Sequence, residues 1–132
     1  MNKWDTLKQL CPKLYRHGIY FECALGWYDI LQDLSLKIER LIEKHEEKYR
    51  TLEGEENEYF EMFAVQVKEK YGTLRFYMSC ETEEISKLIA DAERLSYKTC
   101  ESCGASGTIR DNGWVTVRCD SCYSKEVCET ST

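Results

Sequence analysis

Two Cys-x-x-Cys pairs near the C-terminus constrain this chain more than any other feature of its sequence. Cys100 and Cys103 form the first pair, and Cys119 and Cys122 form the second, with 15 residues between the pairs. Two thiolates three residues apart bind one metal ion when the backbone between them turns tightly, and Gly104 relieves the steric limits on such a turn. We therefore interpret the four cysteines as one set of metal ligands.

The segment between the two pairs predicts a β-hairpin that brings them together. Asn112-Gly113 favours a tight hairpin turn, and the flanking residues are largely β-branched or aromatic. The resulting four-thiolate site is typical of structural zinc and leaves no coordination position for water or substrate. The sequence predicts one structural Zn²⁺ per chain, in either a treble-clef-like or a zinc-ribbon-like geometry. We also expect the hairpin to dock onto the rest of the protein through Ile109, Trp114 and Val117.

The remaining cysteines do not suggest a disulfide framework. Residues 1–18 lack the apolar core of a signal peptide, and no apolar run approaches the roughly 20 residues that a membrane span needs. We therefore expect a cytoplasmic protein without a membrane association, in a compartment that keeps thiols reduced. The sequence assigns no role to the four scattered cysteines, which are Cys11, Cys23, Cys80 and Cys128.

Acidic residues exceed basic ones in both parts of the chain. The formal net charge is −6. Residues 1–97 carry 14 Lys and Arg against 19 Asp and Glu, and residues 98–132 carry 4 against 5. Neither part has the basic excess that normally drives binding to a phosphate backbone, so net charge disfavours nucleic acid as a partner. Nucleic-acid binding would need a local basic cluster, for which the candidates are Lys98, Arg110, Arg118 and Lys125.

Hydrophobic periodicity predicts three helices before the cysteines. A first helix is expected within residues 3–17, and a long amphipathic helix over residues 27–50. A further helix is predicted over residues 82–97, with Thr82 as its N-cap. The face of this helix that we expect to be buried consists of Ile85, Leu88, Ile89, Ala92 and Leu95.

Between the predicted helices 27–50 and 82–97, apolar residues alternate with polar ones. This pattern predicts an antiparallel β-hairpin over residues 63–78, with its turn at Gly72. The fold class is therefore α+β. We expect an α+β core domain over residues 1–97 and a zinc-bound hairpin module over residues 98–132 packed on it. The acidic segment 51–58 between helix and hairpin is interpreted as a solvated loop, with a contact surface as the alternative.

No catalytic constellation is evident in the sequence. His17 and His45 are the only side chains whose ordinary pKa lies near neutrality, and His45 is expected on the surface. No phosphate-binding loop, nucleophile elbow or zinc-protease motif is present. A nucleophile formed by Cys11 or Cys23 with His17 is the least favoured hypothesis. We therefore predict that the protein is not an enzyme.

The aromatic and arginine residues indicate where the protein could bind a partner. The chain has three Trp and nine Tyr, and these residue types are enriched where proteins contact each other. Most of them are expected to lie in the core. The candidates for a partner-binding surface are Tyr71, Arg75, Tyr77, Arg110 and Trp114.

Three segments give the chain a family resemblance: FECALGWYDIL (residues 21–31), VQVKEKYGTLRFY (residues 65–77) and AERLSYKTCESCGASGTIRDNGWVTVRCDSC (residues 92–122). In this order they resemble a family of small, mostly uncharacterised proteins of bacteriophages and prophages. Many relatives end the last pair in Cys-x-x-His, whereas this chain has Cys122 there. The family offers no enzymatic activity to transfer.

The resemblance implies a phage-encoded protein that acts in the cytoplasm of a bacterial host. The leading hypothesis is a non-enzymatic zinc-binding protein that binds a host protein and inhibits a defence system, for example as an anti-CRISPR. The alternative is a zinc-containing nucleic-acid-binding regulator, and a cysteine-dependent enzyme ranks lowest. The sequence predicts neither the identity of the partner nor the oligomeric state.

Overall fold

The α+β fold class is confirmed by the computed structural model, which describes residues 2–50 and 60–130. The acidic segment 51–58 and the side chain of Cys128 lie outside this description. The helices are α1 Lys3–Leu10, α2 Tyr28–Arg50, α3 Glu83–Ser96 and α4 Asp120–Thr130. The strands are β1 Phe21–Glu22, β2 Ala64–Lys70, β3 Thr73–Met78, β4 Thr108–Asp111 and β5 Val115–Arg118.

The first helix is shorter than the sequence predicts. Its N-terminus is closed by a capping box, in which the Asn2 side chain accepts the Asp5 N–H and the Asp5 side chain accepts the Asn2 N–H. The helix ends at Leu10 instead of continuing to residue 17, and Pro12 lies in the turns that follow. A proline inside the helix would remove one hydrogen bond and clash with the preceding turn, so the helix stops before it.

The predicted central hairpin is confirmed and extended by one short strand. β2 and β3 pair in antiparallel fashion, and β1 adds to β2 in parallel, which makes a mixed three-stranded sheet. The register shifts between Ala64 and Gln66, and Val65 is exposed whereas Ala64 is buried. The outer edge of β3 is covered by α3, since the Leu74 N–H donates to Ser96 Oγ at 3.0 Å.

One apolar core joins the helices to the inner face of this sheet. Its buried members all lie between Leu7 and Ala92 along the chain. The apolar stripe of α2 enters it as predicted through Leu31, Leu34, Ile38 and Ile42, and Trp27 enters it from the 3₁₀ turn just before α2. The predicted Thr82 cap of α3 is confirmed, but Leu95, expected on the buried face, is 53% exposed.

The last quarter of the chain has its own small sheet. β4 and β5 pair in antiparallel fashion, and α4 follows β5 directly. We call residues 98–130 the cysteine module and the described residues before them the core region. Across the part of the chain that the structure describes, no helix combines the length and the apolar character needed to cross a membrane.

Candidate metal centre

The first cysteine pair lies in a tight backbone turn between α3 and β4. The Gly104 N–H donates to the Cys100 carbonyl at 2.9 Å, and the Cys100 N–H donates to the Ala105 carbonyl at 2.7 Å. Gly104 has a φ of +87°, in the left-handed region that other residues rarely adopt. The turn predicted around Gly104 is therefore present, and it points the two sulfur atoms of the pair toward the same region.

The hairpin and α4 supply the second pair. β4 and β5 are joined through the predicted turn, where Gly113 has a φ of +99°. Cys119 lies between β5 and α4, and Cys122 lies in the first turn of α4. A turn, a hairpin and a helix that brings two ligands at its N-terminus follow the order of a treble clef. This arrangement favours that geometry over the zinc-ribbon one, and the N-terminal end of the helix dipole favours thiolates there.

The four sulfur atoms converge on one point. The ligand atoms of Cys100, Cys103, Cys119 and Cys122 all lie within 4.8 Å of one another, and Sγ of Cys103 is 3.6 Å from Sγ of Cys119. Sulfur atoms bound to one tetrahedral zinc at about 2.3 Å would be separated by about 3.8 Å. The residues therefore fit a single tetrahedral metal ion, with no described His, Asp or Glu side chain in the group.

The thiols of this cluster do not titrate independently. Burial raises the pKa of Cys100, but hydrogen bonds with nearby backbone groups, first that of Cys119, outweigh it and lower the pKa to about 6. Hydrogen bonds from Cys122 lower the pKa of Cys119 as well. Hydrogen bonds with Cys119 and Cys103 raise the pKa of Cys122 to about 12. The cluster thus concentrates negative charge on some of its sulfur atoms, which a cation bound between them would offset.

The turn that holds the first pair docks onto the segment before α2. The Gly26 N–H donates to the Glu101 carbonyl at 2.7 Å, and the indole N–H of Trp27 donates to the Thr99 carbonyl at 3.0 Å. A Cβ atom on Gly26 would overlap the carbonyl oxygens of Cys100 and Glu101. Only glycine allows the two backbones to approach so closely, which gives Gly26 a structural role that sequence reasoning did not assign.

A buried carboxylate strengthens this contact. Glu101 lies between the two cysteines of the first pair and is only 7% exposed. Its Oε2 accepts the Ala24 N–H at 2.9 Å, and its Oε1 lies 3.4 Å from Nη1 of Arg118 at the end of β5. One side chain therefore ties together the core region, the first pair and the hairpin. Ala24 and Glu101 are 77 positions apart in the sequence, and no local pattern signals their contact.

A second contact joins the two hairpins. Gly72, in the turn between β2 and β3, has a φ of +86°, and a Cβ atom on it would lie 3.0 Å from Cγ1 of Val115. The same atom would lie 3.2 Å from the backbone of Thr116. The turn of the central hairpin thus packs directly against β5, and it brings Tyr71 to the same side of the molecule as the tip of the cysteine module.

The predicted partner-binding residues fall into two groups. Tyr71 is 75% exposed and Trp114 is 72% exposed, and both are carried by the turns just described. Arg75 and Tyr77 lie on β3, where Arg75 is half-buried and Tyr77 is exposed. Arg110 instead holds the module together, because its Nη2 lies 2.7 Å from Oδ1 of Asp120 and its guanidinium covers the ring of Tyr123.

The expected docking face of the hairpin is only partly correct. Val117 is fully buried, as predicted, whereas Ile109 and Trp114 are mostly exposed. The contact surface of the module is largely backbone and polar, made by the first cysteine turn, and needs few apolar side chains. The prediction for Ile109 and Trp114 was therefore wrong, and Trp114 faces solvent.

The remaining candidate nucleophiles are poorly suited to catalysis. Burial raises the pKa of both Cys11 and Cys23 to about 12, so neither is a thiolate near neutral pH. Nε2 of His17 lies 3.2 Å from Oε1 of Glu61. His45, expected on the surface, is half-buried, and its ring lies 4.8 Å from that of Phe60.

Comparison with known proteins identified no relative of this chain. No family model, no curated protein and no solved structure matches the chain. The resemblance to phage and prophage proteins therefore stays a prediction from the sequence. The assignment of a function depends on the geometry of the cysteine cluster and of the surface around it.

Proposed function

We propose that this chain is a non-enzymatic binding protein whose contact surface is held in place by one structural zinc ion. The observation that carries the proposal is the convergence of four cysteine sulfur atoms within 4.8 Å, in a module that presents an exposed tryptophan. Four thiolates favour zinc over harder cations such as Mg²⁺ and Ca²⁺. A site closed by four protein ligands supports a structural role for the ion.

The proposed contact surface is formed where the two turns meet. Tyr71 and Trp114 are large aromatic side chains with about three quarters of their surface in solvent, at 75% and 72% exposure. Aromatic residues of this kind dominate the binding energy of many protein interfaces. Beside Trp114 lies an open groove of about 220 Å³, whose walls also include Thr116 and Tyr123. The groove offers a partner side chain an aromatic wall.

A protein partner is better supported than a nucleic acid. Two of the four residues proposed for a basic cluster are engaged in ion pairs: Arg110 with Asp120, and Arg118 with Glu101 and Glu126. These acidic neighbours offset the positive charge that a phosphate backbone would need. Together with the net charge of −6, they favour the leading hypothesis over a nucleic-acid-binding regulator.

The nature of the partner rests on the sequence resemblance alone. A phage or prophage protein acts in the bacterial cytoplasm, so the partner we propose is a host protein. Inhibition of a host defence system, as by an anti-CRISPR, is the biological outcome that this context favours. The raised pKa of Cys11 and of Cys23 supports a non-enzymatic mode of action by binding.

The test is affinity capture from a bacterial host lysate with three purified proteins. We expect the wild type to retain a host protein that the double variant Tyr71→Ala, Trp114→Ala loses. The matched control is Tyr20→Ala, since Tyr20 is 88% exposed and lies before β1, outside the proposed surface. Equal capture by all three proteins would contradict the proposed surface. A mobility shift of DNA or RNA that weakens with salt, without protein capture, would favour the alternative.

A further inference from the structure

The four cysteines of the cluster differ in how far each residue is exposed to solvent. Cys100 is fully buried, and Cys119 and Cys122 are partly buried. Cys103 is the one exposed member of the four. Because thiolates react with dissolved oxidants and electrophiles according to their access to solvent, Cys103 is the position at which such a reagent reaches the cluster first.

Hydrogen bonds add to this difference. The Cys122 N–H donates to Sγ of Cys119 at 3.4 Å, and the thiol of Cys100 has hydrogen bonds with the backbone of Cys119, Cys103 and Ser102. A hydrogen bond to a thiolate withdraws electron density and reduces its reactivity as a nucleophile. Cys100 is therefore the best protected of the four, whereas Cys103 is the residue of the cluster most exposed to solvent.

A second sulfur lies within reach of Cys103. Its Sγ is 3.6 Å from Sγ of Cys119, and a disulfide bond is about 2.05 Å long. An approach of about 1.5 Å would close the bond.

We propose that Cys103 is a thiol-oxidation site of the metal centre, with Cys119 as its resolving partner and a peroxide as the oxidant. The inference rests on the proposed zinc site. It adds that the site also responds to oxidants, and that one particular pair of ligands carries the response.

The reaction balances in two steps. The Cys103 thiolate attacks one oxygen of hydrogen peroxide, the O–O bond breaks, and hydroxide leaves, so that Cys103 becomes a sulfenic acid. The Cys119 thiolate then attacks the sulfenic sulfur and displaces a second hydroxide, which forms the disulfide. The two thiolates together lose two electrons, and one peroxide is reduced to two hydroxide ions.

The disulfide removes half of the ligand set. Cys100 and Cys122 alone cannot complete a tetrahedral site, so the zinc ion is released. Cys119 follows β5, and the carbonyl of Val117 in that strand accepts the Glu101 N–H at 3.1 Å. Movement of Cys119 toward Cys103 therefore disturbs the base of the hairpin that carries Trp114, and we expect oxidation to lower the affinity for the partner.

The experiment begins with a background variant, Cys80→Ser, Cys128→Ser, which removes two thiols outside the cluster. Its zinc content is measured first by elemental analysis, with about one zinc expected per chain. Hydrogen peroxide is then added with a chromogenic zinc chelator, and the products are mapped by peptide mass spectrometry. We expect zinc release to coincide with a Cys103–Cys119 disulfide, visible as a loss of about 2 Da from the linked peptides.

The matched variant is Cys103→His in the same background, because histidine keeps a four-ligand site while removing the reactive thiol. We expect it to retain zinc and to lose the rapid zinc release by peroxide. Release as fast as in the background protein would overturn the proposal, as would a disulfide that joins other cysteines. A background protein without bound metal would instead contradict the proposed zinc site itself.

If Cys103→His does not bind zinc, the zinc-loaded background protein is labelled with a limiting amount of N-ethylmaleimide. First labelling at Cys103 supports the assignment, and first labelling at Cys119 or Cys122 overturns it. Cys11 and Cys23 do not compete in this assay, since burial raises the pKa of each thiol to about 12.

Discussion

The core region and the cysteine module are stabilised in different ways. All buried members of the apolar core lie between Leu7 and Ala92. The cysteine module contributes only Cys100 and Val117 to the buried apolar residues that the structure describes. A segment of this size without a core of its own depends on other interactions for its fold. We infer that the module depends on its four cysteines and on its contacts with Gly26 and Gly72.

Removal of one cysteine ligand should produce the largest difference in stability between the core region and the cysteine module. We expect Cys119→Ser to abolish stable metal binding and to unfold the cysteine module, because apparent zinc-binding energies of about 10 to 16 kcal/mol contribute directly to the folding of small zinc domains. Helices α2 and α3 should stay folded. Zinc content and amide spectra measure both effects. Cys80→Ser is the control, and equal loss of metal from both variants would argue against the assigned ligands.

The next largest effect should come from the contact between Gly26 and the first cysteine turn. Gly26→Ala places a Cβ atom onto the carbonyl oxygens of Cys100 and Glu101, and we expect a destabilisation of about 3 kcal/mol in urea unfolding. Gly18→Ala is the matched control. Gly18 has a φ of +63° but open space around it, so only a backbone cost of about 1 kcal/mol is expected. Similar losses for the two variants would contradict the docking contact.

A smaller effect is expected for the buried carboxylate. Glu101→Gln retains the size of the side chain and an oxygen that can accept the Ala24 N–H, but it removes the ionic partner of Arg118. We expect a loss of about 1 to 2 kcal/mol in the free energy of unfolding, since the Arg118 side chain is only 13% exposed. No change in stability would mean that Glu126 alone is a sufficient partner for Arg118.

The smallest effect on stability should come from the tip of the module. Trp114 is 72% exposed, so Trp114→Ala should change the free energy of unfolding by no more than about 0.5 kcal/mol. Its effect on binding should be much larger, about 2 kcal/mol, as is common for aromatic residues at the centre of an interface. Thermal unfolding and titration with the captured partner measure the two quantities. If Trp114→Ala destabilised the protein and left its affinity for the partner unchanged, Trp114 would have a structural role and not the binding role that we assign to it.

The sequence predicted those features that depend on local patterns. Spacing identified the four cysteines, Asn112-Gly113 located the hairpin turn, and the apolar stripe located α2. These signals are local because turns and helices are determined by neighbouring residues. The end of α1 at Leu10 was missed, although a proline such as Pro12 disfavours continuation of a helix.

The contacts between the regions could not be predicted in this way. Gly26 and Glu101 meet through backbone atoms across a long sequence separation, and a glycine at a close approach has no pattern of its own. The same limit explains the error for Ile109 and Trp114. Ile109 lies directly opposite the buried Val117 on the same face of the hairpin, and alternation does not show how far across that face the rest of the protein extends.

The central claim is that one metal ion holds the cysteine module on an independently stable core region. The most direct measurement is a pair of ¹⁵N–¹H spectra of the zinc-loaded protein, before and after removal of the metal by a chelator. The account predicts that amide signals of residues 98–130 collapse to unfolded positions. Signals of residues 24–27 should shift, and those of α2 and α3 should persist. Unchanged signals throughout the module after complete metal removal would contradict the claim.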